Sequence, residues 1–336
     1  MTASPSYFHY SFYFIAIASG FSAAVFIVNN FLIHLLGWPG LFATLAGMGL
    51  IDGDKGDAVT LTGLIQTSAF LAALALPAYM TFKAREGNGS FTDLLSHHEK
   101  RFSLYASYVI SFAFWGVMFV GITDAVISFM RIEGMLESIF GKEIASDLGR
   151  SVWRGTFIHM PLLALAALIA TRKRGISFIW LATLIVVAEL LIVVARFIFS
   201  YEQAFMGDLV RFWYAALFLF ASARTLVEEG HVRVDVVYAN LSDAKKSIVN
   251  IAGAAILGMP LCWIILTRGM WEKTSVINGP LLNFETSQSG FGMYVKYLMA
   301  GFLIIFAFSM ILQFASFIMT HLQRHLTISD DSAKTE

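Results

Sequence analysis

The chain is poor in cysteine, charge and proline, and each shortage removes a class of protein. Its single cysteine, Cys262, lies inside an apolar run, so neither an intramolecular disulfide nor a cysteine metal cluster can form. Only 14% of the 336 residues are charged, against roughly 25% in soluble domains, which excludes a soluble enzyme or binding module. The charges balance at 23 basic and 23 acidic, leaving no basic surplus to draw a nucleic acid. Six prolines in the whole chain suit long helices. The alternating strands of a membrane barrel are missing, because the apolar runs are continuous. The first ten residues hold no Lys or Arg, and the apolar stretch behind them outruns the core of a secretion signal. It reads as a first spanning helix. No P-loop, H-E-x-x-H or G-x-S-x-G pattern occurs. No catalytic residue, cofactor site or metal site is therefore expected, and the adjacent His97 and His98 have poor spacing for metal ligands.

What the chain has in abundance is apolar surface. Hydrophobic residues make up 57% of it, with 31 Phe, and mean hydropathy is +0.71. A membrane span takes about 20 mostly apolar residues. Eight segments qualify, at about 10–36, 58–82, 102–130, 153–171, 176–200, 208–227, 248–270 and 291–320. The expected fold is all-α, a polytopic membrane bundle of eight spans with short interfacial amphipathic helices. Lys and Arg favour the cytoplasmic loops. The basic turn "TRKRG" (Thr171–Gly175) and the acidic loop "IDGDKGD" both place the N-terminus, and with it the C-terminus, in the cytoplasm. The same turn separates four spans from four. The expected division is an N-terminal membrane extension over 1–173, a second four-helix region over 174–325 and a polar cytoplasmic tail over 326–336.

Two loops carry helical apolar stripes. In "RIEGMLESIFGKE", Ile132, Met135, Leu136, Ile139 and Phe140 repeat at helical spacing. In "SFTDLLSHH", Ser90 can cap and Phe91, Leu94 and Leu95 line up. Both predict short helices lying in the membrane interface. A third stripe, Val234, Val237, Tyr238 and Leu241, falls in the charged stretch "ARTLVEEGHVRVDVVYANLSDAKKS" and suggests another interfacial helix, with a strand through the alternating Val232, Val234 and Val236 and a solvated cytoplasmic turn as the rival readings. Ser242 or Asp243 is placed to cap the span that follows.

Polar residues inside spans need partners. A lone carboxylate at the bilayer centre costs at least about 2.5–3.5 kcal/mol on insertion scales. Glu189, Asp124 and Gln66 are therefore expected to hydrogen-bond another helix or a partner chain, with an ion or proton site as the rival use. His34 and His159 also lie in spans. Two membrane histidines can ligate a b-type haem, so a membrane redox subunit is the alternative functional reading.

The stretch "ASARTLVEEGHVRVDVVYANLSDAKK" resembles the signature of the small membrane subunit (Q, DctQ-like) of TRAP transporters, the tripartite ATP-independent periplasmic systems. The resemblance extends to "VARFIF" with Arg196, to "GDLVRFW" with Asp208, Arg211 and Trp213, and to the "HVRVD" run with His231, Arg233 and Asp235. It continues through Pro260 to "ETSQSGFGMYVK" with Ser287, Gly290 and Lys296. It covers about 174–325, a full four-helix unit of that family. Residues 1–173 depart from the pattern, because a minimal Q subunit has four helices. The resemblance implies a scaffold that braces a large permease subunit (M), which carries the substrate and ion sites and uses a sodium or proton gradient. It implies a periplasmic binding protein that delivers a solute, often an organic acid, and a place in the bacterial inner membrane among its lipids. Arg196, Asp208, Arg211, Trp213, His231, Arg233, Asp235 and Lys296 would then fix helix ends and the subunit interface.

Overall fold

The computed structural model describes residues 5–52, 59–87, 90–173, 178–201, 204–227, 238–287 and 292–335, and no strand occurs among them. The helices, in chain order, are α1 (Tyr7–Leu36), α2 (Gly40–Gly47), α3 (Leu61–Glu86), α4 (Phe91–Ile132), α5 (Leu136–Leu148), α6 (Ser151–Arg172), α7 (Ile179–Phe199), α8 (Ala204–Val227), α9 (Asp243–Met270), α10 (Asn278–Asn283) and α11 (Lys296–Thr335). Eight of them, all but α2, α5 and α10, are long and apolar enough to cross a membrane. Each falls on one of the segments read from the sequence, and the all-α multi-pass membrane fold holds.

Local structure departs from expectation in three places. "SFTDLLSHH" is not a separate interfacial helix but the start of α4, a continuous 42-residue helix. No Gly or Pro lies between Phe91 and Trp115, so nothing stops the helix from propagating. Ser90 does cap it, its hydroxyl accepting the Asp93 amide at 3.4 Å. The stretch "RIEGMLESIFGKE" does open a short helix, α5, but its stripe is interrupted by Gly134 (φ 68°) and the helix kinks at Gly141 (φ 81°), just after the stripe, a positive φ that glycine adopts without steric cost. Leu136 alone of the stripe is buried in the cluster with Ile127 and Leu148, while Met135, Ile139 and Phe140 stay exposed. In the third stretch, Tyr238–Asn240 form a turn, closed by the Leu241 amide on the Tyr238 carbonyl at 3.1 Å, so no helix carries Tyr238 and Leu241 together. The rest of that stripe, and His231, Arg233 and Asp235, lie outside the described residues. Ser242 occupies the cap position of α9, but its side chain makes no capping bond.

α6 and α9 share a device. Each holds a π-turn, Gly155–His159 and Ala254–Gly258, followed directly by Met-Pro (Met160–Pro161 and Met259–Pro260). Proline has no N–H for the acceptor one turn back, and its ring presses on that carbonyl. The wider turn takes up the lost register without ending the helix.

The chain packs as two compact units. The first comprises Met1–Ala106, Leu226–Thr267 and Ala307–Glu336. Here α1 packs along α3, and Phe102 and Phe314 lie where a Cβ on Gly20 or Gly258 would collide with them. Gln66 is buried, donating to Asn29 Oδ1 at 2.6 Å and accepting the Gly40 amide at 2.8 Å. Both ends of its amide are thus used within the chain. Gln66→Leu strands the Gly40 amide and the Asn29 oxygen, and an unmet buried polar group costs about 1–3 kcal/mol. A lowered unfolding midpoint in detergent is expected, and an unchanged midpoint would show that the triad contributes nothing.

The second unit comprises Ser107–Thr225 and Arg268–Phe306. Phe212 and Phe220 of α8 pack on Phe302. Trp213 is buried, with its indole nitrogen 2.5 Å from where a Cβ on Gly121 would stand. α7 contributes Leu181, Ile185 and Ala188 to the interior and leaves its remaining surface half-buried or exposed.

Candidate functional site

The second unit holds a cluster of buried charge built from helices far apart in sequence. Asp124 on α4 and Arg154 on α6 are both fully buried, with Arg154 Nη1 donating to Asp124 Oδ1 at 2.9 Å. The same oxygen faces His159 Nε2 at 3.1 Å. A carboxylate only accepts, so Nε2 carries the hydrogen; Nδ1 is then free to accept the Tyr297 hydroxyl at 2.9 Å. The two rings stack with centroids 5.9 Å apart. The second oxygen, Oδ2, accepts the backbone N–H of Tyr294 at 2.8 Å. Arg154 also donates to the Leu148 carbonyl, at 2.9 and 2.6 Å, and to Ser128 Oγ at 3.3 Å. Both carboxylate oxygens and all three guanidinium nitrogens are thus engaged, the condition under which a buried ion pair can be tolerated.

Tyr294 closes the cluster on the other side. Its ring lies between two guanidiniums, Arg154 at 4.1 Å and Arg131 at 4.6 Å from the centroid, a cation–π sandwich. Its hydroxyl donates to the Gly149 carbonyl at 2.9 Å and accepts from Arg131 Nη1. Arg131 Nη2 donates to the Gly292 carbonyl at 2.7 Å.

A second carboxylate repeats the arrangement one residue away. Asp208 Oδ2, on α8, accepts the Met293 amide at 3.0 Å and the Ser287 hydroxyl at 3.1 Å, while Oδ1 takes Arg211 at 3.4 Å. Consecutive amides, 293 and 294, are thus held by aspartates from two different spans just before α11 begins. Lys296, the first residue of α11, pairs with Glu285 at 2.5 Å, and the Tyr297 amide donates to the Glu285 carbonyl at 3.0 Å. A cavity of about 450 Å³ opens here, lined by Asp208, Arg211, Ser287 and Lys296 with Met293 and Met299.

The residues singled out in the sequence therefore scatter by role. Asp208, Arg211 and Lys296 meet at this cavity. Trp213 is buried against Gly121, without a hydrogen-bond partner for its indole N–H among the described residues. Asp124 and His159 meet in the buried cluster. The haem alternative meets a physical obstacle there, since both ring nitrogens of His159 already have protein partners and neither is left for an iron. Glu189 and Arg196 are exposed on α7, and no partner touches either among the described residues. Sequence reasoning passed over Arg154, Arg131, Tyr294 and Tyr297 as site residues. The signal available for Arg154 was its charge, opposite to that of Asp124, inside a separate apolar span; the tyrosines gave none.

Chemically the site ties backbone to side chain. Among the described residues no three His, Cys, Asp or Glu side chains gather as metal ligands. Residues 182–324 match the family model described as "Tripartite ATP-independent periplasmic transporters, DctQ component". No curated protein and no solved structure matches the chain. The matched region contains Asp208, Glu285 and Tyr294–Tyr297; Asp124, Arg131, Arg154 and His159 all precede it.

Proposed function

We propose, from the match of residues 182–324 of this membrane protein to the model of the DctQ component of TRAP transporters, that the chain is the small permease subunit of such a transporter. In this reading it braces a large subunit that moves a solute, and a periplasmic binding protein delivers that solute, an organic acid being the expected class. The large subunit uses the Na+ or H+ gradient, and this chain binds no cofactor of its own. It sits in a bacterial inner membrane with both termini in the cytoplasm.

The supporting observation is how two carboxylates, the buried Asp124 and the half-buried Asp208, are used. A carboxylate that itself carries an ion or proton across must exchange partners during transport. Asp124 and Asp208 are instead occupied by consecutive backbone amides and by neighbouring side chains, an arrangement suited to a part that stays still. The N-terminal extension supplies Arg154, His159 and Arg131 to the same structure, so it enlarges the brace.

Reconstitution tests the reading. Proteoliposomes holding this chain alone are expected to take up no solute under a sodium or proton gradient, and uptake is expected once the large subunit and binding protein are added. Uptake by the chain alone would overturn the scaffold assignment.

A further inference from the structure

α7 is the most apolar and the least buried of the eight spans, yet it carries a carboxylate at its centre. Glu189 is the eleventh of the 21 residues of Ile179–Phe199. Val186, Glu189, Val193 and Arg196 follow one another at helical spacing along one flank of the helix. All four are exposed, Val186 by 66% and Val193 by 49%, and the neighbouring Leu190 by 60%. Arg196 stands seven residues on, about 10.5 Å along the axis at 1.5 Å per residue, too far to pair directly with Glu189. Lipid tails offer no hydrogen-bond donor, and an unpartnered carboxylate at mid-bilayer depth is strongly disfavoured. Arg196, in the last turn, can reach the interface by extending its side chain. Glu189 has no such escape.

We propose that this flank of α7 is where the large membrane subunit docks, through a spanning helix that presents a cation or a hydrogen-bond donor to Glu189 at mid-bilayer depth. The proposal rests on the small-subunit reading and adds to it a face and a contact. A second copy of this chain is a poor occupant. Two copies in the same membrane orientation meeting through this face hold Glu189 at equal depth and set carboxylate against carboxylate. A different chain is needed to supply the donor.

The test uses the complete complex, co-expressed and purified through a tag on this chain. A photo-crosslinking residue is placed at Leu190, at Val193 and, as a control on another exposed face, at Leu71 of α3. Crosslinks to the large subunit are expected from 190 and 193 and not from 71. In parallel, Glu189→Leu is expected to retain about tenfold less large subunit, while Glu189→Gln, which keeps a hydrogen-bonding group, retains nearly the wild-type amount. If the wild-type chain holds the large subunit but 190 and 193 do not crosslink to it, or crosslink to a second copy, the docking face is wrong and the small-subunit reading stands. Full retention by Glu189→Leu overturns the role of the carboxylate. If the wild-type chain holds no large subunit, the small-subunit reading falls and the docking proposal falls with it.

Discussion

Replacing Asp124 with alanine is expected to destabilise the protein by about 3–5 kcal/mol, the usual cost of leaving a buried ionic partner uncompensated. Arg154 is fully buried and its carboxylate partner is Asp124. The substitution also frees the Tyr294 amide and the His159 ring nitrogen held by the same side chain. A lowered unfolding midpoint, or loss of the monodisperse species on size exclusion, is the expected observation. Arg154→Met is expected to be comparably harmful from the other side, since it leaves the carboxylate buried without its cation. The informative variant is the double one, Asp124→Leu with Arg154→Met, compared with Asp124→Leu and Arg154→Met singly. Apolar replacement of both members of a buried pair is often neutral, so the double variant should be more stable than the sum of the singles implies. Strict additivity of the three unfolding free energies would mean that the two residues are not coupled, and the cluster would lose its role.

Gly155→Ala is expected to cost about 1–3 kcal/mol through overpacking, although alanine is otherwise the better helix former. A Cβ at this position would lie 2.2 Å from Phe284 Cδ1 and 2.4 Å from Cε1. Phe284 cannot readily retreat. Its backbone is left-handed at φ 48°, and its ring packs on Tyr297 with centroids 5.0 Å apart. Combining Gly155→Ala with Phe284→Ala should cost less than the two changes summed, because the second removes the obstacle to the first. A Gly155→Ala protein that unfolds at the wild-type temperature would show that the contact is loose.

Much of the fold was legible because membrane spans are continuous apolar runs, and composition over 20 residues decides them. The failures were local. "SFTDLLSHH" carries a short apolar stripe, but a stripe does not end a helix; a breaker does, and none follows. In "RIEGMLESIFGKE" the periodicity ignored two glycines that reset the direction of the chain. The candidate site was legible in pieces. Asp124, His159 and Glu189 attracted notice as polar groups in apolar runs, and Asp208 and Arg211 entered only through the resemblance carried by "GDLVRFW". Their partners were not legible. Asp124 meets Arg154 across 30 residues and Tyr294 across 170, and only helix packing brings them together. Glu189 shows the converse: the sequence could not say whether it finds a partner inside the chain, and among the described residues it is exposed on α7.

The two aspartates that hold neighbouring amides also draw their donors from a late part of the chain. Asp124 and Asp208 leave the ribosome well before Met293 and Tyr294, which lie just ahead of α11. In the folded chain those two amides complete the bonding of both carboxylates. A nascent chain arrested before Gly292 therefore lacks two donors that the folded structure supplies.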